Sequence, residues 1–180
     1  MKFTLAATFV STIFLVVTAL PQPDAPRLQR RTCNFPTVPL LRAFKPSVTD
    51  HYYTTNATLM KNAVANLGFD REGTAAIVHP DQTPITIPLY QLYSPSWTDH
   101  FYTTSASERD NAAQNLTYFE EGIAAYVYET QLCGTVPLYR MYNPSSTDHF
   151  YTTNATEKDN AVNKLGYHYE GIAAYVNPQP

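Results

Sequence analysis

From Val136 the chain opens with an apolar and aromatic run, "VPLYRMY", turns polar at "NPSST", and becomes aromatic again in "DHFYTT". Branched and aromatic residues favour strands, and the Asn-Pro-Ser stretch supplies turn chemistry, so two short strands are expected. Lys158, Ala161, Val162 and Leu165 then recur at helical spacing and predict an amphipathic helix of about three turns. "YEGIAAYV" closes the unit as a third strand, its small residues admitting a close neighbour. The same order of elements occurs three times without a gap, over residues 38–78, 87–127 and 136–176. The second and third copies agree at 27 of 41 positions, and the first departs more.

Helix boundaries are written in the same letters. Asn154 followed by Glu157, and Ser105 followed by Glu108, have the spacing of a capping box. Gly166 stands where a left-handed cap is needed at the other end. Unit one has Leu59 in place of the glutamate and unit two has Thr117 in place of the glycine, so their helices are expected to be less well defined.

A strand, strand, helix, strand unit of this size cannot bury its apolar face alone, whereas three around a common axis can, and closure removes sheet edges. The expected fold is therefore β-rich with a minor helical part: three tandem β-β-α-β units closing into one pseudo-threefold domain, either trefoil-like or small and propeller-like. The copies extend almost to the end of the chain. At the other end, residues 1–19 read as a signal peptide and 20–31 as a propeptide ending in the dibasic pair Arg30-Arg31. A single repeat domain over 32–180 remains. It carries 8 basic and 14 acidic residues, a net charge of −6, which argues against nucleic acid and anionic membrane as partners.

Secretion changes the reading of the two cysteines. In an oxidising compartment Cys33 and Cys133 are expected to pair, closing a loop of roughly 100 residues worth at most about 4 to 5 kcal/mol in the chain-entropy model. The repeat "VPLYRMYNPSSTDHFYTTNATEKDNAVNKLGYHYEGIAAYV" resembles a family of secreted repeat proteins of fungi and bacteria whose function is unassigned, and whose bacterial units accompany extracellular hydrolases. The resemblance covers all three units. It implies an extracellular three-unit domain, and it carries over no catalytic or ligand residue.

Candidate chemistry centres on "TDHFYTT" and its copies. Adjacent strand residues point to opposite faces, so Asp148 cannot orient the neighbouring His149, and a dyad has to be made across repeats. His51, His100 and His149 would suit a three-histidine metal site only if they converged on the axis. The alternative is that each ring packs on its own lobe and donates to a carbonyl or to Glu72, Glu121 or Glu170. Asp50, Asp99 and Asp148 follow a turn where a carboxylate accepts nearby backbone N–H groups. No catalytic residue and no cofactor is expected.

The aromatic content is high: 14 Tyr, 6 Phe and Trp97 from Thr32 onward. Ring faces with neighbouring Asp and Asn suit sugars. The leading expectation is a secreted, non-catalytic, lectin-like domain with up to three unequal sites involving Trp97, Asp50, Asp99 and Asp148. A secreted protein-interaction module, such as an effector or a hydrolase inhibitor, is the second reading, and a metal-dependent enzyme the third. Trp97 replaces Val48 and Ser146 at a turn and is expected to be solvent-exposed. Sequons at Asn56, Asn115 and Asn154 predict glycosylation, with Asn56 and Asn154 doubling as helix caps.

Overall fold

The computed structural model describes residues 33–179; the expected signal peptide and propeptide lie outside them. Lobe one contains β1 (Val38–Lys45), β2 (Asp50–Thr54), α1 (Ala57–Asn66) and β3 (Asp70–Val78). Lobe two contains β4 (Ile87–Ser94), β5 (Asp99–Thr103), α2 (Ala106–Asn115) and β6 (Phe119–Val127). Lobe three contains β7 (Val136–Asn143), β8 (Asp148–Thr152), α3 (Ala155–Lys164) and β9 (His168–Val176). Each lobe is one antiparallel sheet with its first strand in the middle, in the orders β2-β1-β3, β5-β4-β6 and β8-β7-β9. The sheets do not merge into a barrel, so of the two expected topologies the radial, propeller-like one is the better description.

What closes the ring is a set of tyrosines. β2, β5 and β8 meet at the axis, each presenting a free sheet edge there. The Tyr53 hydroxyl donates to the Tyr151 carbonyl and accepts from the Tyr151 N–H, both at 2.8 Å. Tyr102 does the same for Tyr53, and Tyr151 for Tyr102, so every hydroxyl is doubly used and each backbone edge is satisfied by the next lobe. The three rings meet edge to face, with centroids 5.3 to 5.5 Å apart. A buried backbone edge left unpaired is costly, and here side chains replace the missing strand.

Outer closure repeats the logic. Single antiparallel bridges join His79 to Tyr126, Tyr128 to Tyr175 and Ile77 to Asn177, which is one contact between each pair of lobes. A shared core of Leu40, Leu89, Leu138, Val78, Val127 and Val176 surrounds the tyrosines, and each lobe adds a smaller cluster under its helix. Cys33 and Cys133 form the expected disulfide, with Cα atoms 5.6 Å apart. It ties the N-terminal segment to the linker before lobe three. No helix among the described residues is long and apolar enough to cross a membrane.

The helices correct the sequence reading. All three span ten residues between equivalent positions, so neither Leu59 nor Thr117 shortens its helix. With Thr117, however, the C-cap Leu116 is extended, and the bond that the Phe69 and Tyr167 N–H groups make to the Ala63 and Ala161 carbonyls is not formed. Asn56, Ser105 and Asn154 cap as expected by accepting from backbone N–H groups of the first turn. The return half of the box is absent: the cap N–H groups donate to the hydroxyls of Thr54, Thr103 and Thr152 instead. Glu108 and Glu157 are thereby free to reach another lobe.

Candidate functional site

Threefold repetition builds the same array at each interface between lobes, from residues of two neighbours. Asp148 accepts from the His51 backbone N–H at 2.9 Å and from His51 Nδ1 at 2.7 Å. Asp50 serves His100 in the same way, and Asp99 serves His149. Each imidazole lies between two aromatic rings, His51 between Phe44 and Phe150 and His100 between Tyr93 and Tyr52. Behind the carboxylates, the hydroxyls of Tyr118 and Tyr167 donate to Asp99 and Asp148. Burial, and then the adjacent carboxylate charge, push both phenols well above the ordinary tyrosine range.

The backbone before and beyond this array is shaped to aim it. Thr49, Thr98 and Thr147, each immediately before its Asp, have φ between 53° and 56°, a left-handed conformation that branched residues rarely adopt. On the opposing sheet, pairing slips by one residue between Arg42 and Ala43 and at the equivalent places. Glu72, Glu121 and Glu170 are the extra residues, and Gly73, Gly122 and Gly171 follow them at φ 107° to 116°. Such a bulge redirects a side chain, here bringing each glutamate to 3.8 to 4.0 Å from a histidine Nε2.

Two interfaces are then locked by arginine. Arg42 makes a two-pronged pair with Glu157 of lobe three, at 2.8 and 3.1 Å, and Arg140 pairs likewise with Glu108 of lobe two, at 3.0 Å. Their Nε atoms lie 2.8 and 2.9 Å from Glu72 and Glu170, although Arg42 Nε is not aligned for a hydrogen bond. Burial works against the guanidinium charges, but Glu157, Tyr53 and Glu72 at Arg42, and Tyr151, Glu108 and Glu170 at Arg140, outweigh it and hold both arginines above their usual range. Burial likewise opposes the charge of Glu108 and Glu157, and bonds to Arg140 and Arg42 lower both carboxyls nonetheless.

The interface between lobes one and two departs from this plan at three positions together. Gln91 stands where the others have arginine, Leu59 where they have the helix glutamate, and Phe69 where they have the tyrosine. Its consequence is a cleft of about 560 Å³ lined by Tyr52, Leu59, Asn62, Leu67, Phe69, Gln91, His100, Glu121 and Ile123, among others. At the interface of lobes two and three the cavity is about 160 Å³ and is bounded by Glu108 and Arg140. Between lobes three and one it is about 390 Å³ and reaches Glu157. The larger cleft takes in the positions equivalent to both, because no ion pair divides it.

Several expectations about site residues are corrected here. Asp50, Asp99 and Asp148 are buried, at most 2 % exposed, and hold the neighbouring lobe rather than their own turn, so none can meet a surface ligand. The histidines donate from Nδ1 to those aspartates and not to a carbonyl of their own lobe, while each Nε2 faces the expected glutamate of its own lobe at 3.8 to 4.0 Å, and the three rings do not converge on the axis. Among the described residues it is the three aspartates that come together, with one oxygen of each within 4.8 Å of the others. Three carboxylates are a set a hard cation uses, but each already accepts a histidine ring and a backbone N–H. Trp97 is half-buried: its ring packs edge-on against Tyr118 at 5.5 Å, in the cluster of Leu92 and Phe101, and it lies outside the cleft. It completes the lobe-two core instead of standing free on the turn.

Of the residues singled out in the sequence, the cleft contains His100 and, at its edge, the capping Asn56. Asn56, Asn115 and Asn154 are all exposed. Leu59 was noted only as a weak helix cap and Glu121 only as an acceptor for a histidine, and Tyr52, Phe69 and Gln91 were not foreseen. The signal for them was the set of departures in lobes one and two, which become meaningful only once those lobes are known to share an interface. No curated protein and no solved structure matches the chain. A family model does, over residues 39–177, and the chain belongs to that family, described as a domain of unknown function (DUF5648).

Proposed function

We propose that the protein acts outside the cell as a non-catalytic carbohydrate-binding domain, with one principal site in the cleft between lobes one and two. The cleft itself carries this reading. It combines the apolar side chains of Leu59, Leu67 and Ile123, each about half exposed, with the amides of Asn62 and Gln91 and the carboxylate of Glu121, each lobe supplying both kinds. A sugar ring has the same mixture, with C–H groups on its faces and hydroxyls around its rim. The three sites expected from the repeat reduce to one, because arginine pairs occupy the other two interfaces. Non-catalytic binding is supported by the Asp–His pairs, which recur at every interface as fastenings between lobes. The disulfide and the leader-like first residues support the extracellular setting.

A secreted protein-interaction module remains the second reading, favoured by the same exposed Leu59, Leu67 and Ile123. The experiment that separates them is a glycan array probed with wild-type protein and with Leu59→Glu/Gln91→Arg. That variant restores the arginine pair seen at the other interfaces and should divide the cleft while leaving the melting temperature unchanged or raised. Glycan binding by wild type and its loss in the variant are expected. Absence of any glycan signal from folded protein, with a captured partner that glycans do not displace, would favour the module instead.

A further inference from the structure

The two locked interfaces show what chemistry the third is shaped to receive. At each of them a guanidinium lies over an aromatic ring of the neighbouring lobe, Arg42 5.2 Å from the Phe150 centroid and Arg140 5.3 Å from that of Phe101. Each is also held by the glutamate of the bulge, Glu72 or Glu170. Between lobes one and two the ring is kept as Tyr52 and the bulge carboxylate as Glu121. The cation is not. Gln91, which replaces the arginine, is neutral and reaches Glu121 with its amide at 2.7 Å. Neither lysine nor arginine lines the cleft, Lys45 Nζ standing 5.6 Å from the centroid of Phe69 outside the lining, and His100 Nε2 is 4.0 Å from the Glu121 carboxylate.

We infer that the cleft takes a sugar that brings its own cation: an amino sugar with a free ammonium group, seated between Glu121 and the face of Tyr52. The inference rests on the carbohydrate reading above and names the class of sugar. An ammonium beside a carboxylate in a cleft forms a charge-assisted hydrogen bond, and an aromatic face adds cation–π attraction. Leu59 completes the fit. At the other interfaces a second carboxylate stands there for the bidentate guanidinium, whereas an ammonium needs one carboxylate, and an apolar residue in the second place gives the sugar C–H groups a surface. Anionic sugars are disfavoured by Glu121, and N-acetylated ones have no charge to offer it.

Calorimetric titration with a fully deacetylated glucosamine oligomer and the matched N-acetylglucosamine oligomer tests this, on wild type, Glu121→Gln and Leu59→Glu/Gln91→Arg. The deacetylated oligomer should bind wild type at least about tenfold more tightly, the scale of one hydrogen bond to a charged group. Glu121→Gln should abolish that preference, so that the two oligomers bind the variant equally, and the double variant should bind neither. Glu121 is on the surface, so its variant should melt like wild type. Equal affinity for the two oligomers, or a preference that survives Glu121→Gln, overturns the ammonium inference and leaves a carbohydrate site standing. Tight binding of an arginine-rich peptide in place of either sugar also overturns it, in favour of a protein partner. Failure of every glycan defeats the carbohydrate reading and the inference together.

Discussion

Above about pH 10 the protein is expected to unfold in one steep transition, completed within roughly two pH units. Tyr53, Tyr102 and Tyr151 are wholly buried, and burial pushes their phenols well above the ordinary range, with Arg42 and Arg140 only partly offsetting it at Tyr53 and Tyr151. In the unfolded chain the same phenols ionise near pH 10. Below that pH both states hold the protons and stability does not depend on them. Above it the unfolded state releases protons that the folded state retains, so stability falls as pH rises. Each such tyrosine contributes about 1.4 kcal/mol per pH unit, so the three give about 4 and, with Tyr118 and Tyr167, about 7. A domain of ordinary stability, about 5 to 15 kcal/mol, cannot withstand that slope for long. Phenolate absorbance followed together with near-ultraviolet circular dichroism checks it. Of the 14 tyrosines, the buried ones should ionise only as tertiary structure is lost, in the same transition. Smooth titration of all 14 in a folded protein would show that the hydroxyls are not sealed at the axis.

Tyr102→Phe is expected to cost about 2 to 6 kcal/mol, although it removes a single oxygen atom. That hydroxyl donates to the Tyr53 carbonyl and accepts from the Tyr53 N–H, both at 2.8 Å and both buried. Phenylalanine fills the same space and leaves two backbone groups without partners or water, each worth about 1 to 3 kcal/mol. Tyr169→Phe, at a residue 46 % exposed, should by contrast stay within about 0.5 kcal/mol. Urea denaturation of the two variants decides the matter. Because the triad is cyclic, Tyr53→Phe/Tyr102→Phe should cost less than the sum of the single changes, as the Tyr53 hydroxyl is lost from a ring already opened. A Tyr102→Phe loss no larger than that of the surface control would mean that the ring closes by packing alone.

The local grammar of the chain was legible and its long-range grammar was not. Strand, turn and helix could be placed because side-chain period and capping residues act within a few positions. The same limit explains the errors. A glutamate three residues past a cap reads identically whether it folds back to the cap or crosses to Arg42, which is 115 residues distant from Glu157. Asp148 after its turn looks like a local acceptor, yet its partner His51 is 97 residues away. Trp97 looked free because Val48 and Ser146 occupy its place elsewhere, whereas an indole at that turn can fold onto Tyr118. The cleft was hidden for a related reason: Leu59, Phe69 and Gln91 are unremarkable singly, and only the ring brings positions from separate lobes to one interface.

The proposed opening to a ligand of one of three interfaces built on one plan can be tested directly by the stoichiometry and position of binding. Titrating the deacetylated oligomer into isotopically labelled protein, with backbone amide shifts recorded, should give one site per chain. The shifts should be confined to α1 and the facing residues around Gln91, His100 and Glu121. Three equivalent sites, shifts spread equally over the interfaces held by Arg42 and Arg140, or no binding at all would contradict it.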